Sequence, residues 1–291
     1  MDLSQISQLL TVAVAIVMFG LGLSLQVADF VRVLRFPRAV VIGLFVQTIV
    51  LVGIAFLITQ LFNLPPILAV GLMLLASSPG GAMANVFSHL ARGDVALNIT
   101  MTAISSVLAL AWMPLVMNWS LEYFIGAGQY IPPPTRKIVE VGVVIIAPVL
   151  AGMWVRHLAP RLAARAGKSV WILSVLLLIA IIVPSIMAAS DLLLEHLAAV
   201  GLACLAFNLA SLTLGYLVPR LAGLPVAQAT SIAFEIGVHN AAIAIYVAAV
   251  VLESPPATVP PAVYGILQVL IAPLFVLLMR RRHAMLARAA A

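Results

Sequence analysis

Charge is what this chain has least of. Only 8% of its 291 residues are Asp, Glu, Lys or Arg, while 64% are hydrophobic and the mean hydropathy is +1.22. Soluble domains carry about a quarter charged residues, so a soluble globular enzyme is excluded. A single cysteine, Cys204, rules out an intrachain disulfide and reads as a small apolar helix residue. No Cys or His cluster has zinc or haem spacing, and no G-x-S-x-G, H-E-x-x-H or G-x-x-x-x-G-K motif occurs. Ser77 and Ser78 have no base nearby in sequence, so the chain reads as a non-enzyme without a cofactor. The opening MDLSQISQLL lacks a basic segment and a small-residue cleavage site, so the first apolar run reads as a retained helix.

What the chain has is apolar length. Apolar runs lie at about 9–28, 39–61, 66–88, 95–117, 138–155, 169–189, 197–218, 226–252 and 261–279. Each can span about 30 Å of hydrocarbon at about 1.5 Å per residue, and only a helix satisfies the backbone of so long a run in lipid. The expectation is an all-α polytopic membrane protein with nine transmembrane helices. With the N-terminus outside, all of the 15 basic residues except Arg136 and Lys137 fall on one side. This is the positive-inside pattern of a cell membrane protein, expected in a bacterial inner membrane with a cytoplasmic C-terminus. The net charge of +6 therefore reads as topology, because the short loops offer no basic face interleaved with aromatics for nucleic acid.

The chain also repeats itself. At an offset of 160 residues, Leu61, Leu64 and Pro65 align with Leu221, Leu224 and Pro225, and Pro79-Gly80-Gly81 falls opposite His239-Asn240-Ala241. An odd number of crossings separates the third and eighth runs, which makes the repeat inverted. Paired interruptions in the two halves of an inverted repeat point to the site of a secondary transporter. The plainer reading is chance recurrence, with Gly and Pro serving only close packing.

Two polar stretches lie deep in these runs, Ser77 to Asn85 and Phe234 to Asn240. Glu235 is about ten residues into its run, roughly 15 Å by helical rise, and no Lys or Arg lies at comparable depth. An ionised carboxylate there costs several kcal/mol unless a cation or donors compensate it, and the structural alternative is a Glu kept protonated. Hard oxygen ligands suit a small hard cation, and the candidates are Glu235, Asn85, Asn98, Thr102 and Gln47. Any one of the neutral members also serves as interhelical glue.

Met18-Phe19-Gly20-Leu21-Gly22-Leu23, Ser78-Pro79-Gly80-Gly81-Ala82-Met83-Ala84-Asn85 with Leu90-Ala91-Arg92-Gly93-Asp94-Val95-Ala96-Leu97, and Glu235-Ile236-Gly237-Val238-His239-Asn240 resemble the bile acid:sodium symporter family. The resemblance runs in order over nearly the whole chain. It implies two discontinuous helices that cross at their breaks, within a core domain at about 39–137 and 197–252, and a panel domain at about 1–38, 138–196 and 261–279. It also implies one sodium site from Asn85, Asn98, Thr102 and Glu235, where Ala84 stands in place of an expected hydroxyl residue. A second site would use Gln47, Glu235, the carbonyls of Ile236 and Val238, and residue 239. That residue is His239 here, and a neutral imidazole nitrogen is a poorer sodium ligand than an amide oxygen. His239 reads either as a packing residue or as a proton carrier that replaces one sodium.

The function expected is sodium-coupled symport of an organic anion by alternating access, with sodium, the anion and the lipid bilayer as partners. Asn240 and the Pro79, Gly80 and Gly81 break are candidates to meet the anion, with Gln268 on the last helix. The substrate class is left between a bile-acid-like body and smaller keto or hydroxy acids. One alternative is a proton-coupled or sodium-independent carrier or exporter of related fold; another is a membrane sensor that binds without transport.

Overall fold

A computed structural model describes residues 3–126, 135–163 and 190–289, with scattered positions between 165 and 180. The run expected at 169–189 lies largely outside the described residues.

Helix α1 (Leu3–Ser24) is followed by the short α2 (Val27–Val31), and the chain bends by 70° between them. The bend has a polar cause that the apolar run at 9–28 conceals. Asp29 accepts the Gln26 backbone N–H at 2.7 Å and pairs with Arg32 Nη1 at 2.7 Å, which starts a new helix direction. Helices α3 (Pro37–Phe45) and α4 (Leu51–Leu61) form one rod through a π-helical turn, Val46–Val50. Then follow α5 (Pro66–Ser77), α6 (Ala82–Leu90), α7 (Val95–Ile125) and α8 (Thr135–Leu158). Past the undescribed stretch come α9 (Ser190–Leu221), α10 (Val226–Gly237), α11 (Ala241–Tyr246) and α12 (Val259–Ala289). A second π-helical turn, Val247–Val251, extends α11.

Among the described residues, Pro37–Leu61, Val95–Ile125, His196–Leu221 and Pro255–Met285 are long and apolar enough to cross a membrane, and the bent α1–α2 pair makes a fifth candidate. Their outward stripes are apolar: Val41, Phe45 and Ile49 are exposed on one helix and Leu270, Leu274 and Leu277 on another. That spacing of three to four marks one helical face turned outward, as lipid requires. Helices α7, α9 and α12 run beyond their expected apolar limits. Polar end residues extend a helix, and α7 stops only at Gly126, whose φ of 107° no other residue adopts readily.

The runs at 66–88 and 226–252 are each two helices. Their opening turns are built alike, 160 residues apart. Leu64 N–H bonds the Thr59 carbonyl at 3.0 Å and Leu224 N–H bonds that of Pro219 at 2.9 Å. Between them sit Asn63 and Gly223, both left-handed at φ 48° and 78°, as the C-terminal stop of a helix demands. Helices α5 and α10 then have the same length of 12 residues.

Helix α1 lies along α8, and the approach is close because it is glycine against backbone. A Cβ on Gly22 would overlap the Val149 carbonyl, and one on Gly152 would overlap that of Phe19. The last helix, α12, packs on α9, α5 and α10. Tyr264 of α12, Phe207 of α9 and Ile232 and Ile236 of α10 share one buried apolar cluster with Leu68, Leu72 and Leu75 of α5.

Candidate functional site

The α5–α6 break is set locally by Pro79, which has no N–H to continue the helix and biases Ser78 toward extended backbone, ψ 152°. The α10–α11 break ends where Asn240 caps the next helix, its Oδ1 accepting the Ile243 N–H at 3.3 Å. The two breaks meet in an antiparallel bridge between Gly80 and His239. Gly81 N–H donates to the Val238 carbonyl at 2.7 Å, and Asn240 N–H donates to that of Pro79 at 2.9 Å. Each break thus satisfies peptide groups that the other left open, which a membrane interior makes costly to leave unpaired.

Glu235, fully buried, points at this crossing. Its Oε2 accepts from Thr102 Oγ1 at 2.5 Å and its Oε1 from Ser105 Oγ at 3.1 Å. A Cβ on Gly80 would overlap that carboxylate, so glycine here is a matter of space. The two hydroxyls stand in place of water at the buried carboxyl group.

Ser231, one turn before Glu235 on α10, fixes the register of the neighbouring helices. Its hydroxyl lies 2.8 Å from that of Ser88 and donates to the Asp94 carbonyl at 2.8 Å; its own carbonyl accepts Asn98 Nδ2 at 2.8 Å. Asn85 lies one turn before Ser88 and Thr102 one turn after Asn98, so side chains at those spacings share the faces turned to Glu235. The oxygens left over are informative. Oδ1 of Asn85 and Asn98 and Oε1 of Gln47 and Gln268 are buried with no hydrogen-bond partner. Unpartnered buried amide oxygens are the kind of donor that a hard cation takes.

The remaining groups at the crossing are braced. The Gly237 carbonyl accepts from Asn208 Nδ2 at 3.1 Å and Tyr264 Oη at 2.9 Å. His239 stacks on Phe207 with centroids 5.5 Å apart and meets Tyr264 edge-on at 5.5 Å. Its Nδ1 lies 3.4 Å from the Ser78 carbonyl, an acceptor only, so the proton sits on Nδ1 and the Nε2 lone pair is left without a partner.

Two clefts reach this region. A narrow one, with a cavity volume of about 10 Å³, is lined by the polar residues Gln47, Thr48, Ser77, Ser78 and Ser105 and by Pro79, with Ala109 and Trp112 along α7. An apolar one, with a cavity volume of about 40 Å³, is lined by Met113, Met117, Ile145, Val247 and Val251, and also by Ala109. The two π-helical turns contribute to them, Gln47 and Thr48 to the first, Val247 and Val251 to the second.

Of the residues expected from sequence, Thr102 touches Glu235, Asn98 is held one turn away, and Gly80, Gly81, Val238, His239 and Asn240 form the bridge. Gln47 and Pro79 line the polar cleft; Gln268 is buried on α12 and lines neither cleft. Sequence reasoning missed Ser105, Ser231, Asn208 and Tyr264. Ser105 alone carried a signal, its position one turn after Thr102 on the same face. Among the described residues, no cluster of three His, Cys, Asp or Glu could hold a metal.

Residues 11–196 match the model of the sodium bile acid symporter family. A sodium-dependent transporter of Bacillus subtilis is 29% identical over 262 residues, covering 90% of this chain and 79% of the relative. The human ileal sodium/bile acid cotransporter is 28% identical, covering 81% and 67%. A probable chloroplastic sodium/metabolite cotransporter of Arabidopsis thaliana is 30% identical, covering 88% and 62%.

Proposed function

The chain belongs to the sodium bile acid symporter family, a family of transporters and not of enzymes, and from that membership we propose that it imports an organic anion coupled to sodium. It is a multi-pass membrane protein, and the distribution of its basic residues supports a bacterial inner membrane with the N-terminus outside. The observation that carries the reading is Glu235, a carboxylate fully buried at a helix crossing and held there by the Thr102 and Ser105 hydroxyls.

One sodium is held by Asn85, Asn98, Thr102 and Glu235. The second position is formed by Gln47, Glu235, the carbonyls of Ile236 and Val238, and Nε2 of His239. A carboxylate with two cations leaves a local charge of about +1, which an anionic substrate neutralises, so cation and anion bind best together. Asn240 and the Pro79–Gly81 segment border the anion, with Gln268 on the same half of the molecule.

Transport follows from motion of one part against the other. The moving panel is the α1–α8 pair with the crossing that follows it, and the core holds both broken helices in an inverted repeat of discontinuous, crossing helices. Helix α12, assigned by sequence to the panel, belongs with the core on this reading, because it packs on α9, α5 and α10 and Tyr264 braces the break at Gly237.

The test is Glu235→Ala in proteoliposomes with an inward sodium gradient and a panel of labelled organic acids. The parent takes up its acid only with sodium, and the variant inserts and folds but shows no sodium-dependent uptake. Full sodium-driven uptake by Glu235→Ala would sink the mechanism.

A further inference from the structure

An anion in the polar cleft needs hydrogen-bond donors, and most of those at hand are already committed. Thr48, Ser77 and Ser78 donate to the Leu44, Leu74 and Leu75 carbonyls at 2.8, 2.9 and 2.7 Å. Ser105 serves Glu235, and the amides of Gly81 and Asn240 serve Val238 and Pro79. The break itself therefore has few donors to offer a ligand. Toward the cleft the three hydroxyls present only lone pairs, which repel an oxyanion.

Trp112 offers a donor beside the Gln47 side-chain amide. It lines the same cleft, and its indole N–H is buried without an acceptor. An indole nitrogen can only donate, so it gains a partner when an acceptor arrives. Trp112 lies two turns beyond Ser105 on α7, on the face that also carries Asn98 and Thr102. A helical side chain leans back over the preceding turn, which carries the ring toward Ser105 and the Glu235 end of the cleft. Ala109, between them, is shared with the apolar cleft, whose wall includes Ile145 of α8.

Building on the anion-symport reading, we propose that the Trp112 indole N–H binds the carboxylate of the transported anion in the polar cleft. The anion's apolar tail then runs past Ala109 into the cleft between Met113, Met117 and Ile145. The substrate class is a monocarboxylate with an apolar tail, its charged end at the crossing and its tail at the boundary between α7 and the α1–α8 pair. Because Ile145 belongs to α8, the tail reports to the moving part while the head reports to the cation.

The experiment uses the full chain in proteoliposomes, with sodium-driven uptake of straight and branched monocarboxylates, the best-transported acid being carried forward. Trp112→Phe keeps the ring and removes the N–H; Trp112→His returns a ring N–H. For Trp112→Phe the KM for the acid should rise about tenfold, the loss of one hydrogen bond to a charged group, with sodium half-saturation and maximal rate within about twofold. Trp112→His should recover part of the loss. An unchanged KM in Trp112→Phe overturns the assignment, and so does an equal loss of sodium affinity, which would mark a merely structural role. If the parent carries no acid of the panel under a sodium gradient, the symport reading fails and this inference falls with it.

Discussion

Adding one methyl group at residue 80 should disable the cation site. An ideal Cβ on Gly80 would occupy the place of the Glu235 carboxylate, so Gly80→Ala leaves two ways to relax. If the carboxylate turns aside, it gives up the Thr102 and Ser105 hydroxyls, each hydrogen bond to a charged group being worth ~1.5–3 kcal/mol. If the carboxylate holds, the bridge must open, and the Gly81 to Val238 and Asn240 to Pro79 bonds are lost inside the membrane. Either route costs on the order of 3 kcal/mol or more, which in sodium affinity is about a hundredfold. Gly53→Ala is the matched control: nothing lies within 4 Å of a Cβ there, and helix propensity favours the change by up to ~1 kcal/mol. The assay is thermal unfolding in detergent during a sodium titration, with potassium chloride holding ionic strength constant. Gly80→Ala should unfold at lower temperature and lose its sodium-dependent rise in Tm, while Gly53→Ala tracks the parent. A Gly80→Ala protein with the parent's Tm and a sodium half-saturation within about twofold would refute the placement of Glu235 against this backbone.

Other outcomes follow from the same geometry. Gly223→Ala and Asn63→Ala place alanine in left-handed backbone at equivalent turns, and each should cost ~1–2 kcal/mol in unfolding measurements, with similar size at both sites. Gly152→Leu drives a side chain into the Phe19 carbonyl and should lower stability by ~1–3 kcal/mol, read as a fall in Tm; an unchanged Tm would show that α1 and α8 are not so close. Tyr264→Phe removes one of two donors to the Gly237 carbonyl and should cost ~1 kcal/mol of stability while leaving the Glu235 donors in place, so a loss of sodium response in this variant would count against the bracing role.

What could be read from sequence was what lipid makes expensive. Glu235 stood out because a carboxylate among apolar residues has no other excuse, and the breaks stood out because Pro79-Gly80-Gly81 cannot continue a helix. Thr102 and Asn98 stood out as polar residues at membrane depth, and the structure bonds Thr102 to Glu235 through its hydroxyl and Asn98 to the Ser231 carbonyl one turn away. What could not be read depends on distance along the chain. Asn208 and Tyr264 brace Gly237 from two other helices, and no local spacing announces that. The bend after Ser24 was hidden in an apolar run because Asp29 acts through the Gln26 backbone, not through hydropathy. Trp112 looked like one more apolar residue on α7; only the missing partner of its N–H sets it apart.

The Gly80–His239 bridge also constrains how the protein is made. When the first broken helix enters the membrane, the Gly81 N–H and the Pro79 carbonyl have no partners, and residues 238–240 have not been synthesised. At about 5–20 residues per second, an offset of 160 residues is a wait of roughly 8–32 s. For that interval an open peptide segment must stay near water, in the insertion machinery or at the bilayer surface, because hydrocarbon would charge several kcal/mol for each unpaired group. The nascent first half is therefore an obligate intermediate that cannot mature alone. Ribosome stalling or truncation before residue 240 should leave a protein exposed to membrane quality control, however apolar its helices.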